Sequence, residues 1–166
     1  MGDLMFSFFI RAALTLGAFG QTGSIGMPWG ATRDQIEMSV SNPDSETSNG
    51  VSDREGLILG GHKKVLLPDG SPLNFSFYFT PLSQQLARVN LSPSLPSTCY
   101  PLLSEFQLEF GQGLELTEWP DVPVWEFIDT RSNTRWTFQI FHQPGTRVPI
   151  LCGIAGHPLN GAHTSH

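Results

Sequence analysis

Lysine is almost missing from this 166-residue chain: Lys63 and Lys64 are the only two, among nine bases and fifteen acids, for a formal net charge of −6. A nucleic-acid binder needs clustered cations to displace counterions from phosphates, so that class of partner is excluded. Charged residues make up only 14% of the chain, against the usual ~25%. Cysteine occurs twice, and Cys99 and Cys152 do not form a C-x-x-C pair, which removes the basis for thiol redox catalysis. There is no G-x-S-x-G elbow and no H-E-x-x-H pair. The run Gly60-Gly61-His62-Lys63-Lys64 shares only its composition with a phosphate-binding loop. No apolar run reaches the ~20 residues that a transmembrane helix requires. What the chain does have is 17 Gly and 13 Pro, which argue for turns and short elements over long helices. Twelve Phe and four Trp supply enough apolar bulk for a packed core, so disorder throughout is excluded as well.

Residues 1–20 (MGDLMFSFFIRAALTLGAFG) are apolar but broken by Arg11. Residues 12–19 suit the apolar core of a signal peptide, and Ala18-Phe19-Gly20 sets small residues where a signal peptidase reads. The expectation is an exported chain, periplasmic or secreted, starting at Gln21 and without an integral membrane span once the signal is removed. No Cys follows the apolar run, which speaks against a lipid anchor. The alternative is a cytosolic protein whose first twenty residues belong to the fold. Cys99 and Cys152 suit either compartment. In an oxidising one they bridge, closing a loop of roughly 50 residues worth about 4 kcal/mol. In a reducing one they are two small buried hydrophobes.

Thr32 followed by Gln35 is a capping box, and Ile36 and Val40 repeat at helical spacing, so a helix is expected over about 33–41. Residues 41–56 hold a single aliphatic side chain and read as a mobile loop. Strands follow at 62–67, 73–80 and 87–91, with Pro68-Asp69-Gly70-Ser71 turning between the first two. Leu73, Phe75, Phe77 and Phe79 alternate with polar residues, the signature of a half-buried strand. A second helix is expected over about 98–110, with Cys99, Leu102, Leu103, Phe106 and Phe110 on one stripe. Three more strands are read at 122–128, 134–141 and 148–152, the middle one facing inward through Trp136, Phe138 and Ile140. The order is a helix and three strands, twice. It predicts an α+β fold, an antiparallel sheet with helices packed on one face, in which 28–91 and 97–152 are two units of one pattern. Residues 21–154 then form one domain and 155–166 a flexible tail.

The segment Pro28-Trp29-Gly30-Ala31-Thr32-Arg33-Asp34-Gln35-Ile36, leading into paired amphipathic strands, resembles small bacterial envelope proteins in which a W-G or G-x-[ST]-x-x-[EQ]-[IV] helix start precedes a β-meander. The outer-membrane assembly lipoproteins of the BamE (SmpA/OmlA) family and the tandem-repeat β-lactamase inhibitory proteins share that layout. The resemblance implies a non-catalytic role as a binder, inhibitor or assembly factor. It carries no site residue over, and the lipidated Cys of the lipoprotein family has no counterpart here.

Weighed as sites, most clusters favour structural readings. His142, Cys152, His157, His163 and His166 lack metal-ligand spacing, so no metal and no cofactor are expected, and His142 reads as a hydrogen-bonded edge histidine. No spacing fixes two of the acids as a glycosidase pair. Charge placement says more. Between Arg88 and Arg131 there is neither Lys nor Arg, while Glu105, Glu109, Glu115, Glu118, Asp121, Glu126 and Asp129 all fall there. Within that span Glu115, Glu118, Trp119, Asp121 and Trp125 combine acids with aromatic anchors on a Pro-stiffened loop, a pattern suited to capturing a basic protein partner. The competing reading is a solvated helix face with a hydrophobic plug over the sheet edge. The expected function is therefore a non-catalytic exported protein that binds another protein. A cytosolic immunity-type inhibitor and a small hydrolase with an unrecognised site are the alternatives.

Overall fold

The structure, a computed structural model, describes residues 29–35, 52–67, 70–116 and 122–160. The described residues are predominantly β: a seven-stranded sheet in the order β1-β2-β3-β7-β6-β5-β4, every neighbouring pair antiparallel. The strands are β1 (Ile58–Leu66), β2 (Pro72–Phe79), β3 (Leu86–Pro93), β4 (Leu114–Glu115), β5 (Val124–Asp129), β6 (Thr134–His142) and β7 (Pro149–Pro158). A 3₁₀ turn (Pro96–Thr98) runs straight into the helix α1 (Cys99–Phe110). The α+β expectation thus reduces, over these residues, to a sheet with little helix. Residues 33–35 are helical and the rest of the expected 33–41 helix lies outside the described residues, as do residues 1–20.

Alternation in the sequence decides which face is buried. Leu73, Phe75, Phe77 and Phe79 of β2 join Val89 and Leu91 of β3, Trp136, Phe138 and Ile140 of β6, and Ile154 of β7 in one buried layer. On the same side Phe106 of α1 meets Phe127, Trp136 and Phe138 at ring separations of 5.5–5.7 Å. Gly111, at φ 87° and ψ −176°, ends α1 in a positive-φ backbone that glycine adopts readily.

Two three-stranded meanders, β1-β2-β3 and β5-β6-β7, meet through their last strands. The seam is short: Val89 faces Gly156, Asn90 faces Ala155 and Leu91 faces Ile154. It stops where β3 reaches Pro93, whose ring nitrogen has no hydrogen to donate to a ladder. A disulfide between Cys99 and Cys152, with a Cα–Cα separation of 5.8 Å, ties the start of α1 to β7 just beyond that point.

Three expectations change. Residues 155–158, assigned to a flexible tail, are the second half of β7 and pair with both β6 and β3. Small residues hid the strand, and packing explains them: a Cβ on Gly156 would lie 2.5 Å from the Trp136 ring. Residues 161–166 lie outside the described residues. The 41–56 loop is anchored over its described part. The Asp53 carboxylate accepts from the backbone N–H of Glu55 and of Leu57, each at 2.9 Å, and pairs with Arg88. Strand β1 begins at Ile58, earlier than expected, because Gly60 and Gly61 sit within it. A bulge falls there, and a Cβ on Gly60 would lie 2.4 Å from the Phe79 ring.

The N-terminal Trp29 enters the same fold. Its indole N–H donates to Thr134 Oγ1 at 2.9 Å, while the backbone around Gly30 and Ala31 bonds to Leu86. The Gln35 side chain accepts from the Thr32 N–H at 2.8 Å, the return half of the capping box read from sequence.

Candidate functional site

Of the acidic stretch, the fold sets Glu115 on the sheet's β4 edge and turns Glu109, Glu126 and Asp129 towards Arg131 and Arg135. After α1, Gly111 and Gly113 turn the chain, and Leu114 and Glu115 add the two-residue strand β4 against Glu126 and Trp125. The Leu116 N–H continues that pairing to the Val124 carbonyl at 2.8 Å. Leu114 and Leu116 are 60% and 42% exposed, and Glu115 between them is exposed too. An edge strand this short offers little backbone for unwanted pairing. It presents side chains instead.

Trp125, the cross-strand partner of Glu115, lies on the same side of the sheet but is partly buried. Its register partner is Phe138, on the buried face, and its ring approaches Phe138 edge-on with centroids 6.5 Å apart. Partly buried and packed against the core, it is the plug of the competing reading. Glu118, Trp119 and Asp121 lie outside the described residues. Leu116 and Val122 are the described residues on either side of that segment.

Three further acids pair with arginines that follow them in the chain. Arg131 pairs with Glu109, and that hydrogen bond and charge push its already high pKa further up. Asp129, buried, organises the β5–β6 turn: its carboxylate accepts from the Arg131 N–H at 3.0 Å and from the Ser132 hydroxyl. Glu126 sits 3.7 Å from the Arg135 guanidinium. The sequence shows neither cation as a counterweight, because Arg131 and Arg135 come after the acid run and reach back only once β5 and β6 pair.

Two further groupings bear on chemistry. On the face of the sheet away from the core, His62 Nδ1 and Ser76 Oγ share a hydrogen bond of 3.0 Å across β1 and β2. Among the described residues no carboxylate is bonded to either, so the pair lacks the third member that would orient the imidazole as a base. His142 is buried at the end of β6, with Nε2 2.7 Å from the Tyr100 hydroxyl and the two rings stacked. It is hydrogen-bonded as expected, but β6 lies inside the sheet, not at its edge. His157, read as part of a frayed tail, is in β7 opposite Arg135. Among the described residues no three His, Cys, Asp or Glu side chains gather as a metal site. Nor is any helix among them long and apolar enough to cross a membrane.

Neither protein-family models, nor curated proteins, nor solved structures yield a match to this chain.

Proposed function

We propose that this chain is a non-catalytic, exported bacterial protein that captures a basic protein partner through the 114–125 segment. The observation that carries the reading is the composition of the β4 edge. Exposed Leu114 and Leu116 flank exposed Glu115, in a stretch that continues into Glu118, Trp119 and Asp121 without a cation. Acids accelerate encounter with a cationic surface, and the apolar side chains hold the complex once water leaves. Glu115, Glu118, Trp119 and Asp121 make the contact, and Trp125 supports the segment from below.

Export is supported by the Cys99–Cys152 bridge, since such bonds persist in oxidising compartments. That favours a periplasmic or secreted protein over a cytosolic inhibitor. The matched meanders, each following a helical stretch, support reading the chain as two units of one pattern with helices on one face. The test is capture from the envelope fraction of the producing cell by the tagged wild-type chain and by the double variant Glu118→Lys/Trp119→Ala. Loss of a basic partner at an unchanged melting temperature is expected. An identical set of captured proteins sinks the proposal.

A further inference from the structure

Strand β1 is one of the two edges of the sheet, and unlike β4 it is long, nine residues against two. Residues 52–57 fold back over its start, where Ser52 bridges Ile58 and the Asp53 N–H donates to the Leu57 carbonyl at 2.9 Å. Beyond that point no described strand lies on its outer side. At the hairpin end the Leu67 N–H donates to the Ser71 carbonyl at 2.8 Å. Backbone groups alternate along an antiparallel ladder, so Lys63 and Gly61 turn theirs towards β2, while Leu66, Lys64 and His62 turn theirs outward. The three outward residues span about 14 Å, and their N–H and C=O groups form a row that an added extended chain can pair.

Charge on this edge runs against the rest of the chain. Strands β1, β2 and β3 contain Lys63, Lys64 and Arg88 but no Asp or Glu, in a chain of net charge −6. Arg88 is matched by Asp53 and Glu55. Lys63 and Lys64 have no acid partner among the described residues. They point to opposite sides of the sheet. Lys64 is exposed on the outer face, opposite Asn74. Lys63 stands opposite the buried Phe75, so its half-buried side chain lies on the core side.

A charge on the core side of an edge strand turns most additions away. An apolar side chain set against Lys63 strips water from the ammonium and returns no hydrogen bond. A second copy fares no better. The antiparallel register that pairs all three outward residues sets Lys64 against itself in the other copy, and like charges directly opposite repel. A strand with acids at two successive positions meets neither penalty, because one acid falls on each side of the sheet and faces a lysine.

We propose that the β1 edge takes an extended acidic segment of a partner as an added strand. His62, Lys64 and Leu66 supply the backbone hydrogen bonds, and Lys63 and Lys64 select two successive acids. This contact lies at the opposite edge of the sheet from 114–125 and does not depend on it.

The probe is a fluorescein-labelled peptide of about eight residues, threonines and valines around two central glutamates, read by anisotropy against the full chain. Wild type binds it and does not bind the same peptide with two central lysines. Lys63→Glu/Lys64→Glu loses about tenfold in affinity for the glutamate peptide, the order expected when two cross-strand ion pairs become repulsions, and gains the lysine peptide. Arg147→Glu, in the exposed β6–β7 turn, changes neither. Hydrogen exchange of the complex slows at the amides of His62, Lys64 and Leu66. Binding without that protection is ionic attraction alone and overturns the proposal. Failure of the glutamate peptide to bind also overturns it, and leaves the lysines as a guard against pairing. Sedimentation of the wild type as a dimer with those amides protected does so too, in favour of a second copy.

Discussion

In the β1–β3 meander the buried aromatic rings are concentrated on one strand, whereas in β5–β7 they are shared between strands and meet a ring from a helix. Leu73, Phe75, Phe77 and Phe79 all belong to β2, and the one ring pair among them, Phe75 with Phe77, has centroids 6.4 Å apart. On the other side Phe106 of α1 sits among Phe110, Phe127, Trp136 and Phe138, each at 5.5–5.7 Å, and the disulfide closes the same region. On the outer face of the first half, residues 53–55 are tied to Arg88, whose guanidinium lies 4.2 Å from the Tyr78 ring centre and 2.8 Å from Glu55. One pattern of strands is thus stabilised by two means. The half bearing the 114–125 segment is the one held by helix and covalent bond. A docking surface gains from such rigidity, since less order has to be imposed on binding.

The comparison breaks first at Phe106. Phe106→Ala removes the ring on which four others converge and should cost about 3–5 kcal/mol in denaturant unfolding. Phe77→Ala in the first meander should cost no more. A larger loss for Phe77→Ala would mean that the first half is the better knit.

Next comes the disulfide. Replacing Cys99 and Cys152 together with alanine should cost up to about 4 kcal/mol, the chain-entropy value for a loop of this length. Hydrogen exchange should rise in α1 and at the start of β7 before it rises in β1 and β2. A uniform rise would show that the bridge stabilises the molecule as a whole and not one half. The smallest effect is expected at Arg88. Its pair with Glu55 reaches the surface, where such contacts are worth about 1 kcal/mol or less, and its pair with Asp53 is partly buried and adds to that. Arg88→Ala should lower the melting temperature less than the Phe106 and disulfide variants do and speed proteolytic nicking within 52–57. Global unfolding at that site would make the segment part of the first half's core.

Several elements can be read directly because their side chains alternate with the period of the backbone. β2 and β6 carry a large apolar residue at every second position, and α1 repeats its apolar residues at helical spacing. Others leave no such trace. β4 is two residues long and takes its strand character from β5. The end of β7 reads as a tail because Ala155 and Gly156 are small, yet Gly156 is small because Trp136 and Val89 flank it. Gly60 and Gly61 read as a loop for the same reason, with Phe79 against the first of them. The candidate site was visible as an acidic, tryptophan-bearing stretch. Which of its members face outward was not, because Glu115 and Trp125 are cross-strand partners whose shared side of the sheet depends on the register of β5 on β6.

Composition and periodicity alone determine that this chain builds an antiparallel sheet with an aromatic core, and that seven of its fifteen acids fall between Arg88 and Arg131 with no Lys or Arg among them. These are local properties, set by each residue and its near neighbours. Tertiary structure alone decides that Cys99 meets Cys152, that Arg131 and Arg135 turn back to engage Glu109, Asp129 and Glu126, and that the meanders join by their last strands. Each of those outcomes depends on contacts between residues far apart in the chain. Such contacts form only when the buried faces of both meanders pack into one layer.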